Sequence, residues 1–160
     1  MDVETIMRYT NLASLISILK NKELTLLDPS KWEDKNDAHY LLKYGERKGF
    51  KSLYALCFTK ASETSHHWKV FSPGADGVCI RINADRFVSC LKKIPEIVQG
   101  EVEYKLLDEV ETEQIKINRL PFIKRHAFRD EQEYRVIFRC KSEDKKITHA
   151  IPFDVSLIER

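Results

Sequence analysis

A chain of 160 residues, 32% charged and 42% hydrophobic, is long enough for one domain with a real core and too apolar for a disordered segment. Its 27 lysines and arginines against 25 aspartates and glutamates leave a net charge of +2, which excludes a protein dedicated to coating nucleic acid but leaves room for one basic groove. No apolar run approaches the roughly 20 residues of a membrane span, and Met1-Asp2-Val3-Glu4 lacks the basic start and apolar core of a signal peptide, so the chain reads as cytosolic with no membrane partner.

Residues 6–10 predict a short strand. A helix follows, with Thr10 or Asn11 as N-cap and Leu12, Leu15, Ile16 and Leu19 along one face, stopping near Asn21. Leu24–Leu27 is an apolar strand closed by Asp28-Pro29-Ser30, and residues 30–37 read as a polar loop. A helix runs from about Ala38 to Arg47 and ends at Gly49. Leu53–Phe58 is a buried strand by its continuous apolar character. His66–Phe71 makes one or two helical turns, and Ser72–Gly77 is a turn. Val78–Ile82 is a strand, and Asn83 caps a helix carrying Phe87, Val88, Leu91 and Ile94. Val98–Tyr104 alternates as a strand, and residues 109–127 suit a helix kinked near Pro121. Glu133–Phe138 and Ile147–Phe153 are strands, expected as a hairpin. With no repeat or linker, the order predicts a single domain over 1–160 of α+β class, with antiparallel pairing dominant.

Cys57, Cys79 and Cys140 fall in apolar strand-like runs and Cys90 on the apolar face of a helix, so all four read as buried thiols. No metal is expected. The adjacent His66 and His67 point apart, and His39, His126 and His149 have no ligand spacing with them. Asp34, Asn36 and Asp37 lack the glycine and distal glutamate of a calcium loop. The five glycines form neither a phosphate-binding loop nor a nucleophile elbow.

The chemistry-bearing run is Asp130-Glu131-Gln132-Glu133-Tyr134-Arg135, at the mouth of an apolar strand. Glu131 and Glu133 share a face if the strand has begun by Glu131. Such a pair is either solvated at a strand start or held for chemistry. A basic cluster, Lys116, Arg119, Lys124, Arg125, His126 and Arg129, precedes it. On a helix these would form a positive rim for phosphates, or a solvated face balanced by Asp108, Glu109, Glu111 and Glu113.

Met7-Arg8-Tyr9-Thr10-Asn11-Leu12 followed by Ile18-Leu19-Lys20-Asn21-Lys22-Glu23-Leu24 resembles the opening of ADP-ribosyltransferase-like domains, including the DNA-modifying toxins of the DarT group. There a strand ends in a basic residue and a threonine, and an I-L-x-x-G-L phrase closes the next helix. Lys22-Glu23-Leu24 lacks that glycine. The chain also resembles a family of uncharacterised bacterial and phage proteins, through Arg8-Tyr9-Thr10, Trp32–Lys35, Cys57-Phe58-Thr59, Trp68–Phe71, Gly77–Ile80 and Glu131–Arg135. In that pattern Phe71 stands for tyrosine, Thr59 for serine, and Glu33 and Lys35 for Asn and Pro.

The resemblance implies an ADP-ribosyltransferase-like fold and an enzyme that uses NAD to modify a nucleic acid or protein, in toxin or phage-conflict biology. Glu133 would stabilise the positive ribose in the transition state, with Glu131 orienting or deprotonating the acceptor. Arg8 would fork onto NAD phosphates, with Tyr9 and Thr10 beside it. Tyr9, Trp68 and Phe71 would wall the nicotinamide, and Thr59 would brace a glutamate or the ribose. Lys124, Arg125 and Arg129 would receive the substrate.

Plainer roles stand beside these. Arg8 would pair with Glu131 or Glu133 to tie two strands together, Trp68 and Phe71 at i and i+3 would pack a core, and Thr59 would cap a turn. Tyr134 and Arg135 would serve the fold, Arg135 as an exposed or cross-strand partner. The alternative function is a non-catalytic nucleotide or nucleic-acid binding module on the same fold. A metal-dependent nucleic-acid enzyme ranks last, because the sequence offers the acidic pair no further clustered carboxylate beyond Asp34.

Overall fold

The computed structural model describes residues 4–112, 114–144 and 146–159. In chain order the elements are β1 (Thr5–Asn11), α1 (Leu12–Asn21), β2 (Glu23–Leu27), α2 (Lys35–Lys48), β3 (Ser52–Thr59), α3 (Ser65–Phe71), β4 (Gly77–Asn83), α4 (Ala84–Leu91), β5 (Ile97–Glu101), β6 (Glu103–Lys105), α5 (Leu107–Thr112), β7 (Ile123–Arg125), β8 (Glu133–Cys140) and β9 (Thr148–Pro152). The class is α+β. Every pairing of the seven-stranded sheet is antiparallel, and β6 and β7 form a small parallel pair.

The apolar run 52–59 makes β3 the strand around which the sheet is built. One edge of β3 pairs with β8 along its whole length, from Ser52↔Cys140 to Thr59↔Glu133. The other edge is divided between two strands: Thr59 meets Met7 of β1, and Ala55 meets Leu27 of β2. Beyond β1 lies β4, beyond β2 lies β9, and β5 flanks β8. The sheet therefore forks at β3, and Cys57 sits between the two attachment points. Arg8 fills that gap, donating Nη1 to the Cys57 carbonyl at 2.8 Å. A buried backbone acceptor is thereby satisfied by a side chain where no strand reaches it.

Strand alternation separates two cores. Tyr54, Leu56 and Phe58 of β3 and Val136 of β8 face a large cluster with Ile6, Leu24, Ile80, Phe87 and Phe153. Leu53, Ala55 and Ile137 face the opposite side, against Leu41 and Tyr44 of α2 and Leu120 and Phe122. On this second face the pairs running toward one end change from Ala55 and Ile137 to Cys57↔Arg135 and Thr59↔Glu133. The polar end of one sheet face thus lies beneath the first turn of α2.

That first turn is well fixed. Asp34 caps α2 by accepting from the backbone nitrogens of Asn36 and Asp37 at 3.0 and 3.2 Å. Gly49 ends the helix in the left-handed region at φ 71°. The helix begins at Lys35, three residues before the expected Ala38, because Asp34 and not the polar stretch as a whole decides its start.

Several sequence expectations change. The segment 109–127 is not one kinked helix: α5 ends at Thr112, a 3-10 turn spans 117–122 around Pro121, and β7 follows. Lys124 and Arg125 are therefore strand residues paired with Tyr104 and Lys105, and no basic helix face exists there. Residues 98–104 split into β5 and β6, which join different sheets. β8 and β9 do not form a hairpin, since β8 lies between β3 and β5 while β9 pairs with β2. On α1, capped by Asn11, the buried side chain is Ile18, whereas Leu12, Ile16 and Leu19 are exposed. Ile94 lies beyond α4, and the four cysteines are half-buried free thiols.

Because Asp34 holds the turn from which Asp37 projects, Asp34→Ala should lower stability by about 1 kcal/mol in urea denaturation, while Asp34→Asn, which keeps a capping oxygen, should lose much less.

Candidate active site

The fork in the sheet opens onto a cavity of about 550 Å³. Arg8 and Tyr9 of β1, Trp32 and Asp34 before α2, Asp37 of α2, Cys57 and Thr59 of β3, Phe71 of α3, Lys124, Glu131 and Glu133 all line it. The cavity thus brings together residues from 8 to 133, including Arg8 and both glutamates.

Its floor is a buried ionic cluster. Arg135, wholly buried, donates Nε to Glu133 Oε1 at 2.6 Å and Nη1 and Nη2 to the two oxygens of Asp37 at 3.0 and 2.8 Å. A further bond runs from Nη1 to the Pro121 carbonyl at 2.9 Å, and the guanidinium lies 5.2 Å from the centre of the Trp32 ring. Lys124 completes the set, 2.6 Å from Glu131 Oε2, 3.2 Å from Glu133 Oε2 and 3.7 Å from Asp37 Oδ2. Both cations are spoken for within the protein, and so are both oxygens of Glu133.

The backbone carrying the glutamates is clamped at four consecutive carbonyls. Asp130 O faces His67 Nε2 at 3.2 Å, Glu131 O accepts from Thr59 Oγ1 at 2.5 Å, and Gln132 O and Glu133 O accept from the nitrogens of Lys60 and Val102, each at 2.9 Å. The Glu133 nitrogen donates to Tyr104 Oη at 2.8 Å. These bonds hold Gln132 in the left-handed region at φ 41°.

Burial alone would raise the Glu133 carboxyl; Arg135 and Lys124 outweigh it and hold it down at about 2. Burial raises Glu131, and the neighbouring Glu133 and Asp37 add to the rise against the pull of Lys124. Asp37 is raised by burial and by Glu133 despite Arg135. Cys57 is pushed well up by burial and by Glu133 beside it, so its thiol stays protonated. Burial pushes Arg8 down; among the described residues it makes no ion pair, and its bond is to the Cys57 carbonyl. A cation without a counterion that lines a cavity is suited to an anionic ligand.

The sequence-based assignments fare unequally. Arg8, Tyr9, Thr59, Phe71, Lys124, Glu131 and Glu133 meet at one cavity. Arg8 does not pair with either glutamate. Glu131 and Glu133 are not neighbours by strand alternation, because β8 starts at Glu133 and Gln132 is left-handed; Lys124 draws their side chains together. Lys124 is an internal counterion and not a free ligand for substrate phosphate. Arg125 pairs with Asp34 at 3.5 Å, and Arg129 lies exposed beside Asp130, so neither joins a basic rim. Trp68 stands edge-on to Tyr9 at 5.0 Å with Nε1 on Glu63 Oε1, one layer behind the cavity. Thr10 is not in the lining, and its carbonyl accepts from Ser72 Oγ. Arg135 is neither exposed nor peripheral.

Sequence reasoning missed Asp37 and the centrality of Arg135. The signal for Arg135 was present: in a strand beginning at Glu133 the residue on the same face is Arg135. Nothing local marked Asp37, which joins Arg135 across 98 residues.

No family model matches the sequence, and neither a curated protein nor a solved structure matches it.

The Glu133 carboxyl titrates below its ordinary range, so its contribution to stability is complete above the ordinary range and is lost as pH falls toward 2. Glu133→Gln should cost about 3–5 kcal/mol at neutral pH by leaving Arg135 and Lys124 short of a partner. Urea midpoints of the two proteins should converge as pH drops below about 4. Arg135→Met should be destabilised to a similar degree, about 3–5 kcal/mol.

Proposed function

We propose that the chain is an NAD-dependent ADP-ribosyltransferase, with an ADP-ribosyltransferase-like fold, acting on a macromolecule. The observation that carries the reading is the placement of Arg8, without an ionic partner among the described residues, in the same cavity as Glu131 and Glu133. Arg8 has fork geometry for a pyrophosphate. Tyr9 and Phe71, 6.3 Å apart between ring centres, supply an aromatic wall for the nicotinamide. Arg8, Thr59, Glu131 and Glu133, the residues through which the chain echoes the arginine, serine and glutamate set of the transferases, all line this cavity.

The chemistry follows from those positions. The glycosidic bond breaks with its electron pair leaving on nicotinamide, and positive charge develops on the ribose. Glu133, ionised and immobile, is the preorganised anion for that charge. An acceptor then bonds to the ribose carbon and gives its proton to Glu131, whose carboxyl is raised and reaches the cavity.

One observation favours a second reading. Both oxygens of Glu133 are occupied by Arg135 and Lys124, and the residue is only 4% exposed. In that reading the cluster is structural, and the chain binds a nucleotide through Arg8 without cleaving it.

Nicotinamide release from NAD, with DNA, RNA and cell lysate as acceptors, separates the two. The transferase reading expects release by the wild type and a loss of roughly 100-fold or more in Glu133→Gln that circular dichroism shows to be folded. Arg8→Ala should weaken NAD binding by about 10-fold or more in calorimetry. Binding lost in Arg8→Ala with no release anywhere supports the binding module, and absence of both binding and release overturns both.

A further inference from the structure

The cluster beneath the cavity has one more negative charge than positive. Asp37, Glu131 and Glu133 supply three carboxylates, and Lys124 and Arg135 supply two cations. The side chains of Lys124 and Glu131 are 11% and 13% exposed, and the others less. Little water reaches this set to screen an unmatched charge, and burying one is costly.

The neighbours of each carboxylate define where a proton can sit. Glu133 has a cation on each oxygen and stays ionised. Glu131 is faced by Lys124 of β7, Glu133 of β8, Asp37 of α2 and the phenol of Tyr104 on β6. Its Oε2 is on Lys124, and its Oε1 has no hydrogen-bond partner among the described residues. Asp37 is faced by Arg135 and Glu133 of β8 and by Lys124. Burial raises Glu131 and Asp37, Glu133 adds to the rise at both, and Lys124 at Glu131 and Arg135 at Asp37 pull against it. Arg8 and Lys31, the other cations in the lining, pair with none of the three, and Arg8 is turned onto the Cys57 carbonyl.

We propose that the empty site stores one proton, shared by Glu131 and Asp37 across Lys124, and that a cationic ligand group entering the cavity displaces it to solvent. The group that does so is a positively charged heteroaromatic ring, which the nicotinamide of oxidised NAD supplies; this step rests on the NAD reading above. Within the cluster of Asp37, Glu131, Glu133, Lys124 and Arg135 the charge balances at both stages, by the proton when the site is empty and by the ring when it is occupied, while the negative pyrophosphate lies at Arg8, outside that set. Glu131 is then ionised in the complex and free to take the acceptor's proton. Asp37 is a positioning residue in this scheme, because without its charge the cluster balances with no proton and Glu131 is ionised from the start.

Two measurements on the full chain test this. Infrared spectra of the ligand-free protein at pH 7 should show a protonated carboxyl band, absent in Asp37→Asn. Glu131→Gln, at a more accessible side chain, should also abolish it and serves if Asp37→Asn does not fold. Calorimetry of NAD binding in buffers of different ionisation enthalpy should report about one proton released per NAD, and about none in either variant. No carboxyl band in the wild type, a band persisting in the folded variants, or binding without proton release overturns the proposal. If NAD does not bind but the band behaves as expected, the NAD reading fails and the stored proton stands.

Discussion

The buried Arg135 guanidinium is the interaction on which the rest of the site depends. It reaches Glu133 on its own strand, Asp37 on the first turn of α2, and the Pro121 carbonyl in the turn leading to β7. Those three partners fix α2, β8 and the segment that delivers Lys124 relative to one another. A wholly buried arginine is tolerable here because each of its three nitrogens donates to an acceptor, two of them carboxylates. The arrangement is poor evidence for extra stability, since well-packed apolar residues of the same volume would often do as well. It is better understood as a device for placing carboxylates.

The fork in the sheet is the second constraint. A strand with one edge fully paired and the other divided must diverge from at least one neighbour, and the space between the diverging strands becomes the cavity. Arg8 satisfies backbone at the branch and lines the cavity. The second apolar core, under α2, keeps the helix seated so that its polar first turn overhangs this space.

Much of the fold is legible in the residues. The continuous apolar run at 53–58 marks the central strand, Asn11, Asn83 and Gly49 mark helix ends, and the turn at 72–77 separates α3 from β4. What the residues do not declare is pairing. Glu133–Phe138 followed by Ile147–Phe153 has the pattern of a hairpin, yet each strand finds a partner far earlier in the chain, β8 on β3 and β9 on β2. The basic stretch around Lys124 has helical spacing on paper, but Pro121 interrupts it and Tyr104 and Lys105 recruit it as a parallel strand. At the site, residue types pointed to Arg8, Thr59, Glu131 and Glu133. Lys124 and Arg135 were visible as charges without their role, since a buried counterion and a solvated one look alike in sequence. Asp37 was hidden because its meaning comes only from a contact across most of the chain.

That separation has a consequence for the newborn polypeptide. The strand that completes β3 and carries Glu133 and Arg135 must be synthesised before either Asp37 or Cys57 can reach its neighbours, with 98 residues between Asp37 and Arg135. Contacts of such long range form late, after the loop between them has been closed at an entropic cost. A nascent chain ending before β8 lacks Glu133 and Arg135, so the carboxylate cluster beneath the cavity can be assembled only after β8 has been translated.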